Sequence, residues 1–283
     1  MNYRTKLAVE PGSRVKLDEI DSSSTGKHED ENEAKTAIAK DCERLSHLQY
    51  RLYAENARSV LIVLQALDAG GKDGTIKHVF GALNPQGATV HAFKVPTAAE
   101  AAHDFLWRVH AVTPARGQIA IFNRSHYEDV LVPRVHGTLP EDAIEKRLNR
   151  IVEFEKNLAQ AGTHVLKFYL HISPDEQLHR FEQRLEDPRR QWKLNEADYA
   201  ERERWDAYRK AYEDALERTS TKRAPWYVVP ANHKWFRNLA VARIVADTLD
   251  ELDMKFPAPT ADVEAIRAKY HSAASDAAHA AQG

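Results

Sequence analysis

Apolar and polar positions alternate along this chain between two periods. From Asn32 to Glu55, leucine, alanine and tyrosine recur among charges at the spacing of one helix face. Ser59 to Leu64 is a short β-rich run that breaks into a glycine turn. Thr75 to Phe80 reads as the following helix. Thr89 to Phe93 reads as a second strand and Ala98 to His110 as a second such helix. Gln118 to Phe122 is a third strand. Pro140 to Ala161 is helical, opened by proline and closed by Gly162. Val165 to Ile172 is a fourth strand, and Ser173-Pro174-Asp175-Glu176 starts a helix with a cap, a proline and two acids. Asn195 to Arg218 reads as one long charged helix, Trp226 to Val229 as a fifth strand and Trp235 to Leu252 as the last helix of the alternation.

Strands alternating with helices about five times predict an α/β fold, with a parallel sheet covered by helices on both faces. Residues 1 to about 30 are polar and read as an extended arm or loop. The tail 257–283 is rich in alanine and reads as a frayed helix. No internal repeat or interdomain linker interrupts the pattern. Ligands of such sheets sit beyond the carboxyl ends of the strands, so the residues after each strand carry the functional question.

Composition narrows the classes. The 283 residues are 43% hydrophobic and 29% charged, which suits a globular core. No apolar run reaches the roughly 20 residues of a membrane span, and MNYRTKLAVEPGSRVK holds no apolar segment of signal-peptide length. A cytoplasmic location without membrane contact is expected. The single Cys42 excludes an internal disulfide and any multi-cysteine metal cluster. With a formal net charge of -2, nothing suggests nucleic-acid binding, and any polyanion must be met by locally gathered charge.

After the first strand comes Asp68-Ala69-Gly70-Gly71-Lys72-Asp73-Gly74. Small residues let backbone N–H groups cradle an anion, and Lys72, a loop residue outside the core, would reach its terminal phosphates. The usual phosphate-loop pattern has glycine where Ala66 stands and a hydroxyl where Asp73 stands. Asp68 and Asp73 would repel bare phosphate. They make sense if Mg²⁺ lies between, since it takes one or two carboxylates with phosphate oxygens and water. A glycine turn with a surface lysine would give the same letters. After the third strand, Asn123-Arg124-Ser-His-Tyr-Glu128-Asp129 puts a neutral residue where a second phosphate motif has aspartate. Arg124 could stabilise a phosphoryl group in transfer. Arg184-Leu-Glu-Asp-Pro-Arg-Arg-Gln-Trp-Lys193 gathers four positive charges around Pro188 and reads as a lid, or as a solvated helix end. The histidines have no zinc spacing. The five tryptophans read as packing residues. Ser125 and His126 show no orienting acid, so a hydrolase triad is discounted.

LDAGGKDG, FNRSHYEDVLVPRVHG and RLEDPRRQWK, in that order, resemble the polyphosphate kinase 2 family from about Pro11 to Phe256. The resemblance implies a thymidylate kinase-like P-loop core over 31–256 with a basic lid at about 184–194. It also implies Mg²⁺-dependent phosphoryl transfer between inorganic polyphosphate and adenine or guanine nucleotides, and assembly as a homodimer or homotetramer. The altered loop is then expected, with Asp68, Lys72 and Asp73 as its working residues. The family's phosphate-binding arginines map onto Arg124 and Arg184. Lys77, Arg134, Arg189 and Lys193 are assigned more loosely to the polyphosphate path. Asn123 followed by Arg-Ser-His-Tyr-Glu-Asp departs from the commoner Asp-Arg-Ser-Trp-Tyr-Asn-Arg and resembles the subgroup called class III, which accepts mono- and diphosphates. Asn123, Glu128 and Asp129 are accordingly expected on the nucleotide. An ATP-dependent nucleoside monophosphate kinase and a non-catalytic sensor are the alternatives, and Asp73 beside Lys72 counts against both.

Overall fold

The computed structural model describes residues 2–26, 28 and 30–280. A short helix, α1 (Tyr3–Lys6), leads to α2 (Glu31–Glu55), whose first turn is capped by Asp30. Then follow β1 (Ser59–Gln65), α3 (Lys72–Thr75), β2 (Ala88–Ala92), α4 (Ala98–Ala101), α5 (Trp107–His110) and β3 (Ile119–Asn123). The second half runs α6 (Glu128–Val135), α7 (Glu141–Gln160), β4 (Thr163–His171), α8 (Pro174–Glu186), α9 (Glu196–Arg202), α10 (Trp205–Thr219), β5 (Trp226–Pro230), α11 (Lys234–Glu251) and α12 (Val263–Ala280).

The strands form one parallel sheet in the order β2-β3-β1-β4-β5. β1 lies at its centre with all seven residues buried, as a parallel strand covered on both faces must be. Val60, Ile62 and Leu64 point to one core, shared with α2 and α11. Leu61 and Val63 point to the other, shared with α6, α7 and α10. The three-layer α/β fold expected from the sequence is therefore present. With β1 flanked by β3 and β4, the segments leaving β1 and β3 emerge side by side at one sheet edge.

Three expected helices differ from the sequence reading. The helix after β1 starts earlier, at Lys72, and continues over Ile76–Phe80 with π winding. Ala98–His110 is two short helices, because the Asp104 carboxylate accepts from Leu106 N–H at 3.0 Å and holds a turn between them. Asn195–Arg218 breaks at Glu203-Arg204, where Arg204 N–H bonds back only to Glu201. The bend lets Trp205 pack against the core. Of the two forms expected for the N-terminal segment, arm or loop, it is mostly loop, and it packs against the body of the protein. Tyr3 is buried, Ala8 bridges Tyr227, and Val9 N–H donates to Trp226 O at 2.9 Å. Val15 and Leu17 are buried, and their N–H groups donate to Glu217 and Glu213 of α10. The alanine-rich tail forms a helix, as expected.

Candidate active site

The loop after β1 makes two left-handed turns, at Ala69 (φ 59°) and Gly71 (φ 104°). Ala66, standing where the usual first glycine would be, is buried at the loop base. Lys72 was expected as a loop residue outside the core, but it is buried. Its ammonium donates to Ala66 O at 2.8 Å. Burial, seconded by the nearby Arg124 charge, pulls its pKa down from 10.5 to about 8.

β3 delivers Arg124 beside this loop, itself left-handed at φ 61°. Arg124 Nη2 lies 2.6 Å from Asp68 and Nη1 lies 3.1 Å from Glu128. Burial opposes its charge, but Glu128 and Asp68 outweigh it and its pKa rises. The next three residues, Ser125, His126 and Tyr127, are fully buried. Tyr127 OH lies 2.9 Å from both a Glu155 carboxylate oxygen and Thr219 Oγ1, and Lys167 pairs with Glu155 at 2.6 Å. His126 does have an acid neighbour, Glu155 at 3.3 Å. That corrects the sequence reading, although both are walled off from solvent and serve to anchor the turn that presents Arg124.

Asn123 donates to Asp73 Oδ1 at 2.9 Å. The neutral amide suits this place, since an aspartate would set two carboxylates at hydrogen-bond distance. Lys193 takes the other oxygen of Asp73 at 2.7 Å, so the basic segment after α8 reaches back to the loop. Burial works against ionisation of Asp73, yet Lys193 and Asn123 hold its carboxyl below the usual range. Arg184 pairs with Asp198 at 3.2 Å.

These groups open into a cleft of about 920 Å³ lined by ten lysines and arginines against three acids. It takes in Asp68, Ala69, Gly70, Gly71, Lys72, Asp73, Gly74, Asn123, Arg124, Arg184 and Lys193. Behind Asp68 and Arg124 lies a recess of about 30 Å³, bordered by Glu128, Tyr208 and Tyr212. Other expected residues are not brought here. Arg134 is tied to Glu141 and, at 2.6 Å, to Asp214. Lys77 is exposed outside the cleft, and Arg189 sits in solvent beside Asp187, while its neighbour Arg190 lines the cleft. Asp129 turns to Arg108 at 3.0 Å and borders neither cavity. The sequence reading missed Lys35, Lys94, Arg180, Lys234 and Arg237 of the cleft wall. Each comes from a segment distant in sequence. Only Lys234 and Arg237 leave a signal, as cations in a helix first turn that lacks an acid.

Asp68 and Asp73 fit a magnesium ion in chemistry: two carboxylates border a cationic cleft. Among the described residues no group of three or more histidine, cysteine or acidic side chains is placed to hold a metal ion.

The family described as Polyphosphate kinase 2 (PPK2) matches residues 26–257. The AMP/ADP-polyphosphate phosphotransferase of Meiothermus ruber is 49% identical over 262 residues, 92% of this chain and 98% of its own. The ADP-polyphosphate phosphotransferase of Rhodopseudomonas palustris is 41% identical over 273 residues, covering 92% of this chain and 94% of that one. A crystal structure of Polyphosphate Kinase 2 from Arthrobacter aurescens TC1 superposes with a TM-score of 0.93 at 42% identity, over 96% of this chain and 97% of that one. With a phosphate loop, a facing arginine and a cationic cleft already in place, these matches make the chain a member of the polyphosphate kinase 2 family.

Proposed function

We propose that this chain transfers a phosphoryl group from inorganic polyphosphate to AMP and ADP, with Mg²⁺. The observation that carries the reading is the cleft whose cations, Lys72 and Arg124 among them, outnumber its acids ten to three. A nucleotide phosphate oxygen attacks the terminal phosphorus of the chain. One P–O bond forms, one anhydride P–O bond breaks, and the leaving polyphosphate is one unit shorter. Lys72, Arg124 and Arg184 hold the transferring group and meet the charge on it, since this reaction depends mainly on positioning and electrostatics. Asp68 and Asp73 would hold the magnesium ion, which when bound neutralises phosphate charge. Glu128, at the recess, faces the acceptor. A carboxylate there can accept from an amino group of the base but repels phosphate.

Among the described residues no helix is long and apolar enough to cross a membrane. A cytoplasmic enzyme assembled as a homodimer or homotetramer, acting on adenine and secondarily guanine nucleotides, completes the reading. The test offers AMP and ADP separately with polyphosphate and Mg²⁺, followed by nucleotide chromatography. ADP formed from AMP, and ATP from ADP, is the expected result. If ATP serves as donor to AMP as well as polyphosphate does, an ATP-dependent kinase replaces this reading.

A further inference from the structure

Behind the Arg124 turn lies a buried polar network that touches no substrate. Lys167 of β4 and Glu155 of α7 pair at 2.6 Å, and neither is more than 1% exposed. The Lys167 ammonium also donates to Thr219 O at 2.8 Å and to Tyr127 Oη at 3.0 Å, so all three of its protons are engaged. The other Glu155 oxygen lies 2.9 Å from Tyr127 Oη and 3.3 Å from His126 Nε2. Thr219 Oγ1, 2.9 Å from Tyr127 Oη, accepts from Trp226 Nε1 at 2.8 Å. Burial works against ionisation of Glu155, yet Lys167 and His126 hold its carboxyl below the usual range. Residues 125–127 are thereby tied to α7, β4, α10 and β5 at once, and none of the side chains in the network lines the cleft or the recess.

A buried ion pair is a poor source of stability. Its desolvation cost offsets most of its attraction, and well-packed apolar side chains of the same size often serve a fold as well or better. The position of the network points to a different use. Residues 125–127 follow Arg124 directly, and Glu128, the acid paired with Arg124, comes next. Arg124 is left-handed at φ 61°, with its N–H donating to Leu64 O at 3.1 Å. A residue with a Cβ keeps such a backbone only where its surroundings over-determine it. Here β1 holds the turn from one side, and Tyr127 and His126 clamp it from the other.

We propose that the Lys167–Glu155 pair is a positioning device: through Tyr127 and His126 it fixes the backbone of Arg124, and with it the guanidinium that meets the transferring phosphoryl group. The proposal rests on the role given to Arg124 above. Placement matters steeply for such a group, since a displacement of about 1 Å can cost about 100-fold in rate. Loss of the network loosens the turn without removing any group that touches substrate. It therefore lowers kcat and leaves substrate binding in place.

Glu155→Gln combined with Lys167→Met removes both charges at nearly constant volume, so neither charge is left buried alone. The double variant should fold, as read by circular dichroism, and its kcat with polyphosphate and ADP should fall about 10-fold or more. Both KM values should stay within about 2-fold of wild type. In an Arg124→Ala background the same two changes should alter kcat by less than about 2-fold, because no guanidinium is left to aim. Tyr127→Phe, which leaves the ion pair intact, should lower kcat in the same direction by about 3-fold or more. It decides the matter through the same cycle should the double variant not fold. Wild-type kcat in the folded variants, or an equal fall in kcat with and without Arg124, overturns the positioning role and leaves the enzymatic reading intact. A raised KM with kcat unchanged does the same. Wild-type activity in Arg124→Ala alone, or failure of the wild-type chain to use polyphosphate, removes the reading of function first.

Discussion

Gly71→Ala tests how the loop is built. Gly71 sits at φ 104°, outside the region a side chain adopts readily. Placing alanine there costs on the order of 1–3 kcal/mol in backbone strain. The new methyl also overlaps the Arg237 guanidinium. Because Arg237 is packed and only its tip can yield, this adds about 1–3 kcal/mol of overpacking. The expected destabilisation is therefore about 2–6 kcal/mol, read as a fall in the urea midpoint with the slope unchanged. Arg237→Ala separates the two parts in a double-mutant cycle. In that background the steric part vanishes and only the backbone part, about 1–3 kcal/mol, remains. Gly71→Ala within about 0.5 kcal/mol of wild type, the range of an ordinary surface change, would refute the geometry. A destabilisation equal in both backgrounds would refute the contact with Arg237.

Asp68→Asn and Asp73→Asn should raise the Mg²⁺ concentration needed for half-maximal activity more than they weaken metal-free nucleotide binding; equal losses would make both acids structural. Glu128→Asn should change the AMP-to-ADP preference while sparing polyphosphate KM, and a change confined to polyphosphate KM would mean the acceptor and donor sides are reversed. Arg134→Gln should leave polyphosphate KM unchanged and lower stability by about 1 kcal/mol or less, as partly exposed ion pairs do; a raised KM would return Arg134 to the donor path.

Where chemistry is packed into contiguous letters, the sequence was readable. Asp68 to Gly74 and Asn123 to Glu128 each hold their own turn, and strand pairing alone brings them together. Arg180 and Arg237 were not readable, because they arrive from α8 and α11 and meet only through the packing of both helices over the loop. Arg134 misled for the opposite reason. A string of letters shows a charge but not its neutralising partner, here Asp214, eighty positions away. The docking of the N-terminal segment was not legible because Leu7, Ala8, Val9, Val15 and Leu17 are diluted among polar residues; Leu7 to Val9 lie along β5 through hydrogen bonds to Trp226 and Val228, while Val15 and Leu17 are held by Glu217 and Glu213 of α10. The central strands were legible as short, nearly continuous apolar runs because they are buried on both faces.

The ion pairs at the cleft also set a threshold for small anions. Arg124 holds Asp68 and Glu128, Lys193 holds Asp73, and Arg184 holds Asp198. Each carboxylate is tethered next to its cation and competes at a high effective concentration. A lone orthophosphate must exchange with one of them and gains little over what it displaces. A linked donor that engages several cations at once displaces the carboxylates together, at the entropic cost of a single association. Discrimination between a phosphate polymer and its monomer is thus supplied by the protein's own acids, acting as competitors that only a multivalent ligand overcomes.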